Sequence, residues 1–126
     1  MINYGKQLID EKDIKAVTDT LNSDWLTQGP KVEEFEQALA DYCGVKYTVA
    51  VCNGTAALHL ANLAIGTDKT TSVILPPITF LSTANSVIYA GGHPVFGDIS
   101  DGSFTLDPEK VKELVHKNNS LLIFDE

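Results

Sequence analysis

Four short apolar runs alternate with segments of helical spacing, and that alternation narrows this chain to an α/β fold. The runs are Tyr47 to Cys52, Ser72 to Leu75, Pro94 to Ile99 and Leu121 to Phe124. Each reads as a buried strand, and strands separated by single helices need crossover connections, so the sheet is expected to be largely parallel. The helices between them are expected over Thr55 to Ile65, Leu81 to Ala90 and Asp107 to His116. Gly66 and the Gly91-Gly92 pair end the first two, and Asp107-Pro108 opens the third with Pro at its first position. Two further helices precede the first run. Asp10 to Asn22 places Ile14, Val17 and Leu21 on one face behind an Asp10 N-cap. Lys31 to about Tyr42 places Val32, Phe35, Ala38, Leu39 and Tyr42 on an inward face, and Gly44 closes it.

Composition removes several classes of function. A hydrophobic content of 44% with 21% charged residues is that of a folded globular chain. Net charge is −8, and no basic cluster stands out, so no nucleic-acid partner is expected. No apolar run reaches the roughly 18 residues of a membrane span. The first residues, Met1 to Lys6, lack the apolar core of a signal peptide, so a cytoplasmic location is expected. Cys43 and Cys52 read as buried thiols. His59, His93 and His116 are scattered without acidic or thiol partners at ligand spacing, so no metal site is expected. Glu33, Glu34 and Glu36 read as a solvated helix face.

Three loops carry the chemistry. The run into Val51-Cys52 stops at Asn53-Gly54, and a helix starts at once with Thr55-Ala56-Ala57-Leu58. The first N–H groups of such a helix have no intrahelical partner, and the helix dipole favours an anion there. Gly54 allows close approach, and Thr55 adds a hydroxyl. A tight turn with no ligand would look the same. The motifs Gly-x-Gly-x-x-Gly and Gly-Lys-Ser/Thr are absent, which disfavours a dinucleotide or nucleoside-triphosphate site. In the second loop, Pro76-Pro77-Ile78-Thr79-Phe80 follows a strand, and Phe80 either joins the core or offers a flat face to a ligand ring. The third loop, Trp25-Leu26-Thr27-Gln28-Gly29-Pro30, is either an interhelix connection or a rigid turn presenting polar groups to a substrate. The first two loops should share the carboxyl edge of the sheet, where open α/β sheets bind ligands.

In order and spacing, these loops, together with Thr83-Ala84-Asn85, Gly92-His93-Pro94-Val95-Phe96, Asp98-Ile99 and Leu106-Asp107-Pro108, resemble the N-terminal third of the DegT/DnrJ/EryC1/StrS sugar aminotransferase family. The resemblance implies a fold type I, pyridoxal-phosphate (PLP) enzyme. Residues 1–126 would be the N-terminal part of its large, cofactor-binding domain: an incomplete, mostly parallel sheet with flanking helices. It implies that Gly54, Thr55 and Ala56 hold the cofactor phosphate, that Phe80 stacks on the pyridine ring, and that Leu26, Thr27 and Gly29 lie near a nucleotide-sugar substrate. It further implies amino transfer, usually from glutamate, to a keto-sugar in polysaccharide biosynthesis, and a homodimer. The family's imine-forming lysine is implied to lie beyond residue 126, so no catalytic residue is assigned here and the chain alone is expected to be inactive. The family's pyridinium-pairing Asp is implied to come later in the chain, at a strand end; Asp125, after Leu122-Ile123-Phe124, shows a similar local pattern and would match it only if an internal segment were missing. Two alternatives stand beside this reading: a non-enzymatic α/β module binding a phosphorylated ligand or a partner chain, and part of a sugar dehydratase of the same family.

Overall fold

A computed structural model describes residues 5–117 and 121–123. The chain forms two compact units, Met1–Ala50 and Val51–Glu126.

The first unit holds α1 (Glu11–Leu21) and α2 (Pro30–Cys43). Asp10 and Asp13 form a reciprocal cap on α1. The Asp10 carboxylate accepts from the Lys12 and Asp13 N–H groups at 2.8 and 3.1 Å, and Asp13 Oδ2 accepts from the Asp10 N–H at 2.9 Å. Pro30 occupies the first turn of α2, and Gly44 ends it at φ 66°, a left-handed conformation that suits glycine. The expected inward faces are uncovered. Ile14, Val17 and Leu21 on α1 are exposed, as are Val32, Phe35, Ala38, Leu39 and Tyr42 on α2, and Ala40 is the buried α2 residue. Helical period specifies an apolar stripe but not the surface that covers it.

Tyr47 to Cys52 does not form the expected strand. A strand exists only with a hydrogen-bonded neighbour, and here Glu36 takes up this backbone instead. Its carboxylate accepts from the Ala50 N–H at 2.7 Å, and its carbonyl accepts from the Thr48 hydroxyl. Glu36 is therefore half-buried and structural rather than part of a solvated face. Cys43 and Cys52 are free and exposed, contrary to the expectation of buried thiols. The segments that carry them pack less tightly than their apolar neighbours suggest.

The second unit contains α3 (Gly54–Ala64), β1 (Ser72–Leu75), α4 (Leu81–Tyr89), β2 (His93–Phe96), α5 (Pro108–Lys117) and β3 (Leu121–Ile123). The sheet order is β2-β1-β3, and both pairings are parallel, with Val73 opposite Pro94 on one side and Leu122 on the other. β1 is central, and its side chains alternate between two covered faces. Val73 and Leu75 pack with Val87 of α4, joined by Ala84. Ile74 turns the other way, toward Gly97, with Leu106 and Leu114 beside it. Pro94 sits on the edge strand. His93 and Gly97 donate their N–H groups to Thr71 and Leu75 of the β1 side, so the position between them that lacks an N–H faces outward. The strand expected to reach Ile99 stops at Phe96, and Ile99 forms an isolated antiparallel bridge with Leu106. Asp107 caps the N–H of Glu109 at 2.8 Å, as its position before Pro108 suggests. Phe124 and Asp125 lie outside the described residues.

Gly92 marks the tightest joint of this unit. A Cβ there would stand 2.6 Å from Thr67 Cγ2 and 3.0 Å from Val87 Cγ1. Gly92→Ala is expected to destabilise the chain by about 1–3 kcal/mol, read as a lower urea midpoint at unchanged slope. An unchanged midpoint would show that this joint has slack.

Candidate functional site

Two helices begin at one cleft. Asn53, Gly54, Thr55, Ala57 and Leu58 from the start of α3 line it together with Phe80 and Ser82 from the start of α4, around a volume of about 660 Å³. That lies within the roughly 300–1,000 Å³ of small-molecule sites. The expectation that the Gly54 and Pro76-Pro77 loops share one edge is met: β1 ends at Leu75, and the chain runs through the prolines to Phe80 at the cleft. The Gly54 turn reaches this edge without following a strand of its own.

The helix ends are held by a buried polar junction. Asn62 is 1% exposed. Its amide donates to the Leu58 carbonyl at 3.0 Å and to Ser86 Oγ on α4 at 3.1 Å, and its oxygen accepts from Thr67 Oγ1 at 3.3 Å. Ser86 Oγ in turn donates to the Thr83 carbonyl at 2.9 Å. His59 and Tyr89 add an edge-to-face contact with ring centroids 5.8 Å apart. Both helices are thereby locked with their N-termini together.

At the α3 end, Asn53 is the N-cap, and its side-chain oxygen accepts from the Ala56 N–H at 2.9 Å. The Ala56 amide is therefore engaged in the cap, and Ala56 is not among the cleft-lining residues. Among the described residues, the N–H groups of Gly54 and Thr55 have no hydrogen-bond partner. A Cβ on Gly54 would meet nothing within 4 Å, so its outer side is open. Phe80 is 76% exposed, and its ring is part of the cleft wall rather than of the core. Asn53, Ala57, Leu58 and Ser82 are the lining residues that sequence reasoning did not assign to the site. An Asn directly before a helix signals a cap, whereas nothing distinguishes Ser82 from the neighbouring hydroxyl residues of α4.

The Trp25–Pro30 loop belongs to the other unit. Gln28 there has φ 49°, and a Cβ on Gly29 would lie 2.6 Å from Trp25 Cβ, so the turn is tight. Leu26 and Thr27 are exposed and Gly29 is half-buried. Trp25, Gln28, Gly29 and Pro30 line a cavity of about 550 Å³ with Val32, Glu33 and Glu36 of α2.

Shifted ionisations lie away from the cleft. The Thr70 hydroxyl leads the hydrogen bonds that hold the Asp68 carboxyl below its usual range. Glu113 and Glu109 hold the Lys110 and Lys112 ammonium groups above theirs. Among the described residues no group of three His, Cys, Asp or Glu side chains is placed to hold a metal, and no helix is long and apolar enough to cross a membrane.

Comparison with known proteins identifies relatives of the chain. The spore coat polysaccharide biosynthesis protein SpsC of Bacillus subtilis is 46% identical over 112 residues, which are 89% of this chain and 29% of SpsC. The UDP-4-amino-4,6-dideoxy-N-acetyl-beta-L-altrosamine transaminase of Campylobacter jejuni is 43% identical over 95% of this chain and 31% of its own. Helicobacter pylori PseC, an aminotransferase involved in the biosynthesis of pseudoaminic acid, has a similar structure, with a TM-score of 0.85 and 31% identity over 98% of this chain and 33% of its own. The chain thus spans about a third of the length of the relatives it matches. The fold is that of a segment of the fold type I PLP aminotransferases. The family model for DegT/DnrJ/EryC1/StrS aminotransferases matches residues 7–124, and the chain belongs to that family, whose cofactor is PLP.

Proposed function

We propose that this chain is the N-terminal part of the large domain of an aminotransferase that passes an amino group, from glutamate, to a keto-sugar nucleotide in glycan biosynthesis. The observation that carries the proposal is the cleft lined both by Gly54 and Thr55, whose N–H groups have no partner among the described residues, and by Phe80. This arrangement fits a phosphorylated, flat cofactor. Gly54 and Thr55 would hold its phosphate against the positive end of α3. Phe80 would cover one face of its ring and exclude water from it. Ala56 would act indirectly, by keeping Asn53 in place as the cap. When bound, PLP supplies an electron-withdrawing ring that stabilises negative charge at the reacting carbon.

Leu26, Thr27 and Gly29 are proposed to contact the sugar nucleotide, with the tight Trp25–Gly29 turn holding them. A cytoplasmic homodimer is the proposed working state. The names of the Campylobacter and Helicobacter relatives specify amino transfer, which supports a transaminase over a dehydratase. No described lysine lines the cleft, so the amine that performs proton transfer would not come from these residues. This supports the reading that the chain alone is inactive.

Amide NMR tests the anion site. Millimolar inorganic phosphate is expected to shift the Gly54 and Thr55 amides more than that of Ala56, which is already bonded. Thr55→Ala should weaken phosphate about tenfold, the effect of losing one hydrogen bond to a charged group. If other amides move while these stay, the cradle is misplaced.

Phe80→Ala separates ring from phosphate. It should weaken PLP about three- to tenfold and leave inorganic phosphate unchanged in the same titrations. Equal losses for both ligands would remove Phe80 from the ring site.

Reaction of the chain with PLP and borohydride should leave cofactor scattered over several surface lysines by peptide mass mapping. Stoichiometric labelling of one lysine would overturn the assignment of the amine elsewhere.

A further inference from the structure

Among the described residues, the second unit buries five polar side chains: Asn62, Thr67, Ser82, Thr83 and Ser86. Four of them are hydrogen-bonded to one another or to close neighbours. Asn62 pairs with Thr67 and Ser86, and Thr83 Oγ1 pairs with Thr79 Oγ1 at 2.9 Å. Ser86 also reaches the Thr83 carbonyl. Ser82 is the exception. It is 7% exposed, and its hydroxyl has no partner among the described residues. No fully enclosed side-chain oxygen among the described residues lacks a partner, so the Ser82 oxygen keeps an opening, and the space that Ser82 lines is the cleft.

Resting on the reading above, we infer that the Ser82 hydroxyl is a ligand-binding group of this site: it donates from α4 to the phosphate monoester held at the start of α3. Three features place it there. Ser82 shares the cleft wall with Gly54, Thr55 and Phe80. It stands in the first turn of α4, whose positive end also faces the cleft. Its helix is locked to α3 by the Asn62–Ser86 bond, so the hydroxyl is held in place before any ligand arrives and little side-chain freedom is lost on binding. An anion in this cleft is then gripped from two helices at once: by the N–H groups of Gly54 and Thr55 and the Thr55 hydroxyl on one side, and by the Ser82 hydroxyl on the other. A ligand without a phosphate gains nothing from Ser82.

The test uses the 126-residue chain and two probes, inorganic phosphate and pyridoxal 5′-phosphate, with unphosphorylated pyridoxal as a third titrant. Ser82→Ala removes the hydroxyl at nearly constant volume, and Ser82→Cys keeps the volume with a weak donor. The amide signals of Val73 and Leu75 in β1 report whether each variant keeps the fold. Both variants are expected to weaken the two phosphate-bearing probes about tenfold and to leave pyridoxal unchanged. Wild-type affinity for both phosphate probes in the two folded variants, with the Gly54 and Thr55 amides still shifting, would overturn the role of Ser82 and leave the α3 anion site standing. An equal loss for pyridoxal would place Ser82 at the ring and not at the phosphate, which also overturns the inference. Absence of any shift at Gly54 and Thr55 in the unmodified chain would remove the anion site and Ser82's role with it.

Discussion

The site rests on one buried amide. Asn62 lies in the last turn of α3 with almost no access to water, and it satisfies its donors and acceptor on Leu58, Ser86 and Thr67. Satisfied in this way, a polar group specifies a single arrangement, because any slide of α3 against α4 would strand its hydrogen bonds in an apolar interior. An apolar contact at the same place would permit several packings. The consequence is felt eight residues away along α3, where Gly54 and Thr55 are held in the same cleft wall as Phe80 and Ser82.

Parallel pairing supplies the second constraint. With β1 in the middle of the β2-β1-β3 sheet, both of its faces are covered, by Val87 and Ala84 on one side and by Leu106 and Leu114 on the other. Each crossover helix must start near the carboxyl end of the strand before it. The start of α4 is therefore delivered to the ligand edge of the sheet by topology alone. Gly92 and Gly97 let the chain turn close against Thr67, Val87 and Ile74 at the two ends of β2. The close approach, rather than backbone freedom, explains these glycines.

The first unit shows where sequence patterns mislead. Tyr47 to Cys52 has the composition of a buried strand, yet its backbone bonds to Glu36, and Tyr47 and Val49 are exposed. β-Propensity describes fitness for a pleated surface, and it has no effect where no neighbouring strand is present. The apolar stripes of α1 and α2 likewise have the correct period and no cover. Cys43 and Cys52 follow from the same cause: each sits at the end of a segment whose burial was inferred from apolar neighbours that are themselves exposed.

Sequence alone determined what is local. Helices α1 to α5 lie within a residue or two of their expected limits, because caps such as Asp10, Asn53 and Asp107 and stops such as Gly44 act on adjacent backbone. The order of elements also identified the α/β class, and the spacing of the loops pointed to the family. Tertiary structure decided everything that depends on a distant partner. It selected which apolar runs became strands, since a strand needs another strand. It brought Phe80 and Ser82 of α4 to the same cleft as Gly54 and Thr55 of α3. It also separated Ser82 from Thr83 and Ser86, three buried hydroxyls that look alike in sequence. Whether a polar group is satisfied depends on what folding brings within about 3 Å of it, and no property of the residue itself encodes that.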